Sequence, residues 1–292
     1  MSSDQRQSYL FAGLAILAWS TVSTAFKLTL LHLSPVGLLL FSSFIATLFL
    51  AVYNLISNTS FLSNFSHNIR TSFFAGLLNP FLYYLVLFAA YDRLRAQEAQ
   101  ALNYTWAIIL SLFSVLFLQE KIRIKDFGAL LISLFGVVII STKGQVLQMQ
   151  FDDILGTSLA LGSSIIWAGY WILNMKDSRP NPIKLFYNFF VGFLLIVCVV
   201  LVLKPVIFQQ GAKLSVAFGG SIWVGIFEMG LTFILWLKAL QFTDNTAKIS
   251  NLIFLTPFIS MIFIFLILGE NIHPATIIGL LLIVLSNIFQ KT

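Results

Sequence analysis

The sequence predicts an all-α integral membrane protein: ten transmembrane helices arranged as two inverted five-helix repeats. Three observations carry that expectation. The chain is 59% hydrophobic and 10% charged, with a mean hydropathy of +0.93, a balance that water-soluble domains do not reach. Apolar runs near the roughly 20 residues needed to cross a bilayer recur along its whole length. The chain also echoes itself at an offset of 150 positions, Leu-Gln-Glu-Lys-Ile at Leu118 to Ile122 answering Leu-Gly-Glu-Asn-Ile at Leu268 to Ile272. The same shift lays Leu85 on Leu235, Leu87 on Leu237, Ala89 on Ala239, Leu102 on Leu252 and Phe113 on Phe263. Apolar matches arise easily in so apolar a chain. The paired Glu120 and Glu270 carry the duplication, because charges here are scarce.

In chain order, the predicted spans of the first repeat (residues 1–143) are Leu10–Leu31, Val36–Ile56, Phe73–Ala90, Ala96–Leu118 and Phe127–Ser141. Those of the second (residues 152–292) are Ile154–Met175, Ile183–Leu203, Val216–Leu240, Thr246–Leu268 and Ala275–Phe289. Loop chemistry separates them at Ser34-Pro35, at the polar run starting with Ser57, around Pro180 and Pro182, and at His273-Pro274. No loop is long enough to fold alone, so one membrane domain is expected. An odd number of spans per repeat makes the second copy enter from the opposite side, which inverts its topology. Placing both termini in the cytoplasm collects eleven Lys and Arg on the inner side against six on the outer, the asymmetry that topology favours. Met1 to Gln7 lack a basic segment leading to a small-residue cleavage site, so the first apolar run is expected to be retained.

Composition also excludes functions. The net charge of +6 is scattered over inter-span loops, which fits anionic lipid headgroups and topology and does not indicate nucleic acid. A single cysteine, Cys198, rules out an internal disulfide or a thiolate cluster. His32, His67 and His273 have no ligand spacing, so neither metal nor cofactor is expected. No Gly-x-Ser-x-Gly, His-Glu-x-x-His or phosphate-loop motif occurs, which argues against an enzyme and against an ATP-driven pump. The expected partners are a small-molecule substrate and the lipid bilayer, with a homo-oligomer left open. A carrier predicts a central cavity lined by spans 1, 3, 4, 6, 8 and 9. A non-transporting scaffold or scramblase predicts that the polar stripes pair off and leave none.

Glu228 is the sharpest single candidate, lying near the middle of span 8 between Gly-Ile-Phe and Met-Gly-Leu-Thr. A charge there costs several kcal/mol, so the group must face a cavity, find a partner or stay protonated. It is the candidate contact for a substrate amine and the candidate proton carrier. Span 1 carries Ser20, Ser23, Thr24 and Lys27 on one helical stripe, which in lipid must turn inward. Lys27 is expected either to pair with Glu228 or to snorkel to the outer interface. Span 6 presents Ser163, Trp167, Tyr170, Trp171 and Asn174 on a similar stripe. Asn79, Pro80, Tyr83 and Tyr84 set an amide, a helix break and phenols at one level of span 3, the kind of broken helix at which transporters build sites. Asn103 and Asn251 give spans 4 and 9 an amide each, and Glu120 and Glu270 are expected to cap or pair at span ends.

Several residue groups resemble the drug/metabolite transporter superfamily, whose repeats are EamA domains. In the first half they are Ala18-Trp19-Ser20-Thr21 leading to Lys27, Ala89-Ala90-Tyr91, Asn103-Tyr104-Thr105-Trp106 and Leu118-Gln119-Glu120. In the second they are Trp167-Ala168-Gly169-Tyr170, Leu237-Lys238-Ala239-Leu240, Thr256-Pro257-Phe258 and Leu268-Gly269-Glu270. The resemblance covers essentially the whole chain and adds Trp19 and Trp106 to the candidate cavity residues. It implies a secondary carrier working by alternating access in a bacterial cytoplasmic (inner) membrane. Amino acids or related compounds, exported, are the implied cargo, with nucleotide-sugars, vitamins and drug-like solutes as alternatives. The sequence departs at Ala107, where similar members often have Pro. That puts a kink in span 4 in doubt, while Pro257 keeps one in span 9.

Overall fold

The computed structural model describes residues 3–57, 69–119, 124–148, 153–244, 249 and 251–291. Glu120, His67 and Ser250 lie outside the described residues, as do the loop cations Lys121, Arg123 and Lys248. The helices are α1 (Ser3–Leu30), α2 (Pro35–Ile56), α3 (Ile69–Arg93), α4 (Ala96–Leu118), α5 (Ile124–Ser141) and α6 (Ile154–Lys176). They continue with α7 (Asn181–Leu203), α8 (Leu214–Gln241), α9 (Leu252–Leu268) and α10 (Pro274–Lys291). Extended structure among the described residues is limited to a lone bridge between Leu33 and Phe208. Six helices, α1 to α4, α7 and α8, have both the length and the apolar content to cross a membrane. Helix α6 has the length, with 23 residues, but its Gly, Ser, Trp and Tyr leave it out of that set. Large apolar side chains such as Leu17, Phe44, Leu48, Phe135 and Leu201 remain exposed on the outside of the bundle. Such a surface belongs in lipid.

Local sequence explains where the helices start and stop. Ser34 caps α2 by accepting from the Gly37 amide at 3.1 Å, and Pro35 occupies the first turn, where no amide is missed. Asp153 does the same for α6, accepting from Gly156 N at 2.7 Å. Helices α4 and α9 both end on a left-handed residue, Gln119 (φ 59°) and Gly269 (φ 66°). Glycine enters that conformation freely and glutamine does not. These two residues stand 150 positions apart, so the duplicated frame reaches backbone geometry.

Packing follows a regular scheme. The principal pairings are α5 with α10, α2 with α7, α1 with α8 and α9, α6 with α3 and α4, α2 with α8, and α7 with α3. Advancing every helix by five places, cyclically, returns the same set. Where α5 crosses α10, a Cβ added to Gly136 would stand 2.7 Å from the Gly279 carbonyl oxygen, and one added to Gly279 would stand 2.6 Å from that of Gly136. The two backbones meet with nothing between them, as small residues permit in membranes.

Candidate substrate-binding cavity

Four helices lose regular hydrogen bonding, α3, α4 and α8 within their length and α9 at its first described turn, at positions about 150 residues apart in pairs. In α3 the break spans Leu77–Leu82, where Asn79 leaves helical geometry (φ −140°, ψ 118°) ahead of Pro80. In α8 it spans Val224–Glu228, a wide turn in which Met229 N donates to Val224 O at 3.1 Å, followed by Gly230 at φ −121° and ψ −88°. Such wide turns recur at functional sites. In α9 a tight turn over Leu252–Leu255 precedes Thr256 and Pro257. Helix α4 also breaks, at Tyr104 and Thr105, without the proline whose absence put this kink in doubt. Hydroxyl groups supply the reason. Ser164 Oγ donates to the Asn103 carbonyl at 2.9 Å, and Thr105 Oγ1 donates to that of Leu102 at 2.8 Å. The carbonyls released by the break thus find partners where no water reaches.

The breaks surround a cavity of about 350 Å³, within the size range of small-molecule sites. Its walls come from α1 (Trp19, Val22, Ser23, Phe26), α3 (Tyr83, Leu87, Tyr91) and α4 (Gln100, Asn103, Tyr104, Trp106, Leu110). The rest come from α6 (Trp167, Trp171), α8 (Glu228, Phe233, Trp236, Leu240) and α9 (Ile253, Thr256). Trp167 is central to an aromatic wall, stacked on Tyr83 with ring centroids 4.5 Å apart and on Tyr170 at 5.5 Å. The wall continues from Phe233 to Trp19 at 5.6 Å and from Trp19 to Trp236 at 5.8 Å. Glu228 accepts a hydrogen bond from the Tyr84 hydroxyl at 3.0 Å. Across the cavity, Tyr83 donates to Asn103 Oδ1 at 3.3 Å, and Asn103 Nδ2 donates to Ser163 Oγ at 2.8 Å.

The candidates read from sequence divide. Trp19, Ser23, Tyr83, Asn103, Trp106, Trp167 and Glu228 line the cavity. Ser20, Thr24, Lys27, Asn79, Tyr84, Tyr170 and Asn251 do not. Ser20 is fully buried and donates to the carbonyls of Ile16 at 2.7 Å and Thr256 at 3.2 Å, tying α1 to α9. Tyr84 stands behind Glu228, and Tyr170 accepts from Asn174 Nδ2 at 2.9 Å and Asn188 Nδ2 at 3.4 Å. Thr24 is buried, and Asn251 leads into the tight turn of α9. Asn79 is fully buried beside Pro80, and both Pro80 and the Gly76 carbonyl lie against Gly192 of α7. A Cβ at Gly192 would lie 3.1 Å from that oxygen and 2.4 Å from Pro80 Cγ. Lys27 does not pair with Glu228. Its ammonium donates to the carbonyls of Tyr91 at 2.6 Å and Leu94 at 2.7 Å, the electronegative end of α3.

At that same end Glu270 caps α4 from a distance, accepting from Ala96 N at 3.0 Å and from Gln97 Nε2 at 3.4 Å. Ser23 Oγ and Tyr91 Oη lie 2.8 Å apart just beneath. Together these bonds tie α1, α3, α4 and the end of α9. Sequence reasoning passed over Tyr91, Phe233 and Trp236. Tyr83, Leu87 and Tyr91 recur every fourth residue, a stripe legible without coordinates. Phe233 follows Glu228 by five, a spacing that a regular helix turns about 140° away, and Trp236 follows it by eight.

A family model described as the EamA-like transporter family matches residues 6–142 and 154–289. The chain belongs to that family. Its matched segments fall on either side of the 143–153 connection and together cover most of the sequence. A curated relative from Clostridium kluyveri, described as an uncharacterized transporter, is 24% identical over 200 residues. That match takes in 67% of this chain and 63% of the relative, so the chain spans less than two thirds of the relative's length. A solved crystal structure superposes with a TM-score of 0.67 at 20% identity, covering 97% of this chain and 96% of that one. That likeness shows the fold. The chain thus shares the fold and the sequence signature of the EamA-like transporter family, with six helices long and apolar enough to cross a membrane.

Proposed function

We propose that this EamA-like protein is a secondary carrier of ten spans, built as two inverted five-helix repeats over residues 1–143 and 152–292. Its solute is a small, amine-bearing organic metabolite, from the class of amino acids and related compounds, moved outward across a bacterial cytoplasmic membrane by alternating access. The observation that carries this reading is the cavity walled by α1, α3, α4, α6, α8 and α9, with Glu228 as the one carboxylate among its described lining residues. A scaffold whose polar stripes had paired off would have closed that space. The cyclic packing scheme supports a duplication, and Glu228 is our candidate for proton coupling. With both termini cytoplasmic, Lys27 and Glu270 tie the external end of the bundle, and the cavity runs from Ser23 towards Leu110, Trp236 and Leu240 on the inner side. A nucleotide-sugar fits less well, because its diphosphate would meet no Lys, Arg or His among the described lining residues.

Proteoliposomes exposed to a pooled, isotope-labelled metabolite mixture test the reading. Accumulation of specific compounds under an imposed pH gradient, lost in Glu228→Gln, supports a proton-coupled carrier. Gradient-independent movement in both proteins removes Glu228 from coupling. Movement by neither protein above empty vesicles sinks the carrier reading.

A further inference from the structure

We propose that the cavity selects organic cations: amines with an aromatic or apolar body and no free carboxylate. This rests on the carrier reading above and narrows its solute to the related amines, setting the amino acids themselves aside. Three features of the lining point the same way. The first is charge. Among the described residues lining it, Glu228 is the one carboxylate, and no Lys, Arg or His appears. Lys27 on the adjoining helix is already committed to the carbonyls of Tyr91 and Leu94. A solute that brings a carboxylate must strip it of water, find donors for it and tolerate a like charge at Glu228. A solute that brings an ammonium alone meets a carboxylate that lacks a cation. Glu228 is held there by the Tyr84 hydroxyl at 3.0 Å.

The second feature is the wall. Trp19, Tyr83, Trp167, Phe233 and Trp236 form a connected run of rings, with Trp167 stacked on Tyr83 at 4.5 Å and Trp19 edge-on to Phe233 at 5.6 Å. Ring faces carry negative electrostatic potential and attract ammonium groups, most strongly where water is excluded. The third is the hydrogen-bonding capacity left over. Gln100 lines the cavity with a buried Oε1 that has no partner, an acceptor suited to an N–H donor. Of the donors, the Tyr83 hydroxyl and the Asn103 amide are already engaged with each other and with Ser163. The other donors in the lining, among them the indole N–H groups, the Gln100 amide and the Thr256 hydroxyl, are all neutral, and none brings the positive charge that would offset burying a carboxylate beside Glu228.

The test compares two compounds that differ by the disputed group, phenethylamine and phenylalanine. Their binding to the full-length, detergent-purified protein is measured by calorimetry, and their flux in proteoliposomes. Phenethylamine is expected to bind about tenfold or more tighter. Glu228→Gln should bring the pair to near equality, while Glu228→Asp, which keeps the charge, should retain the preference. Equal affinity, a preference for phenylalanine, binding of neither, or an unchanged preference in Glu228→Gln overturns the inference. Binding of the amine without flux upholds the ligand class and overturns the carrier reading. Flux of phenylalanine with the amine ignored does the reverse.

Discussion

The break in α3 and the break in α8 occupy corresponding places in the two halves, and they have been put to different uses. Both interrupt a helix near its middle, and both lean on a neighbour through a glycine. Pro80 lies against Gly192 of α7, and Gly225 lies against α2, where an added Cβ would stand 2.7 Å from the Ser42 carbonyl. The contents differ. The first break holds Asn79 and Pro80, fully buried and outside the cavity lining. The second ends in Glu228 and Gly230, and Glu228 reaches the cavity. Thr232 donates to the Phe227 carbonyl and so relieves the gap that Gly230 leaves in the α8 ladder. Two breaks about 150 residues apart thus keep similar irregularities while one side chain, Asn79, is buried away from the cavity and the other, Glu228, faces it.

That division can be broken experimentally, and the largest effect is expected on the packing side. Gly192→Leu would drive a side chain into Pro80, 2.4 Å from its first added carbon. It should cost about 3 kcal/mol, read as a lower melting temperature of the purified protein and a smaller folded yield. An unchanged melt would mean that α3 and α7 do not touch as described. Next comes the chemical side. Glu228→Gln keeps the shape and an acceptor for Tyr84 but loses the charge, so substrate flux should fall about tenfold or more while the melt moves by less than about 1 kcal/mol. If Asn79→Ala depresses flux as strongly at unchanged stability, the contrast between the two breaks fails.

Smaller effects sharpen the picture at the bundle end. Lys27→Met removes the donor that holds the Tyr91 and Leu94 carbonyls, worth about 1.5 kcal/mol for a charged hydrogen bond. It should raise access of a thiol reagent to a cysteine placed at Ser23, and equal labelling rates would count against a tie at this end. The smallest shift is expected from Arg93, whose guanidinium sits 3.0 Å from Asp153 at a half-exposed site. The Gly156 amide and Arg93 hold the Asp153 carboxyl below its ordinary range. A lowered carboxylate contributes stability above its unfolded pKa and loses it as pH falls through the folded one. Arg93→Ala should therefore cost under about 1 kcal/mol at neutral pH and nothing in strong acid, as comparative melts would register.

Much of this was legible in the residues. The helices α2, α4 and α7 begin and end within a few residues of the apolar runs, and Ser34-Pro35, Pro180 and Pro182 mark the starts of α2 and α7 chemically, whereas α1 begins seven residues before its apolar run. The six helices that wall the cavity were legible too, since each carries polar or aromatic groups that lipid would reject. Single residues were harder. Ser20 and Ser23 share a stripe in α1, yet Ser23 meets the cavity and Ser20 bonds to α9, because the cavity takes a narrower arc than the polar stripe. In α8 the wide turn and Gly230 interrupt the register, and Phe233 joins Glu228 in the lining although regular helical spacing would turn it away. The α4 break depends on Ser164, about 60 residues away in the chain, and no local pattern announces such a partner.

The glycine crossing of α5 and α10 also bears on motion. Neither helix contributes to the described lining of the cavity, and with Gly136 and Gly279 backbone to backbone their spacing cannot shrink further. In the carrier proposed above, this pair would therefore move as one unit, leaving rearrangement to the six helices that line the cavity.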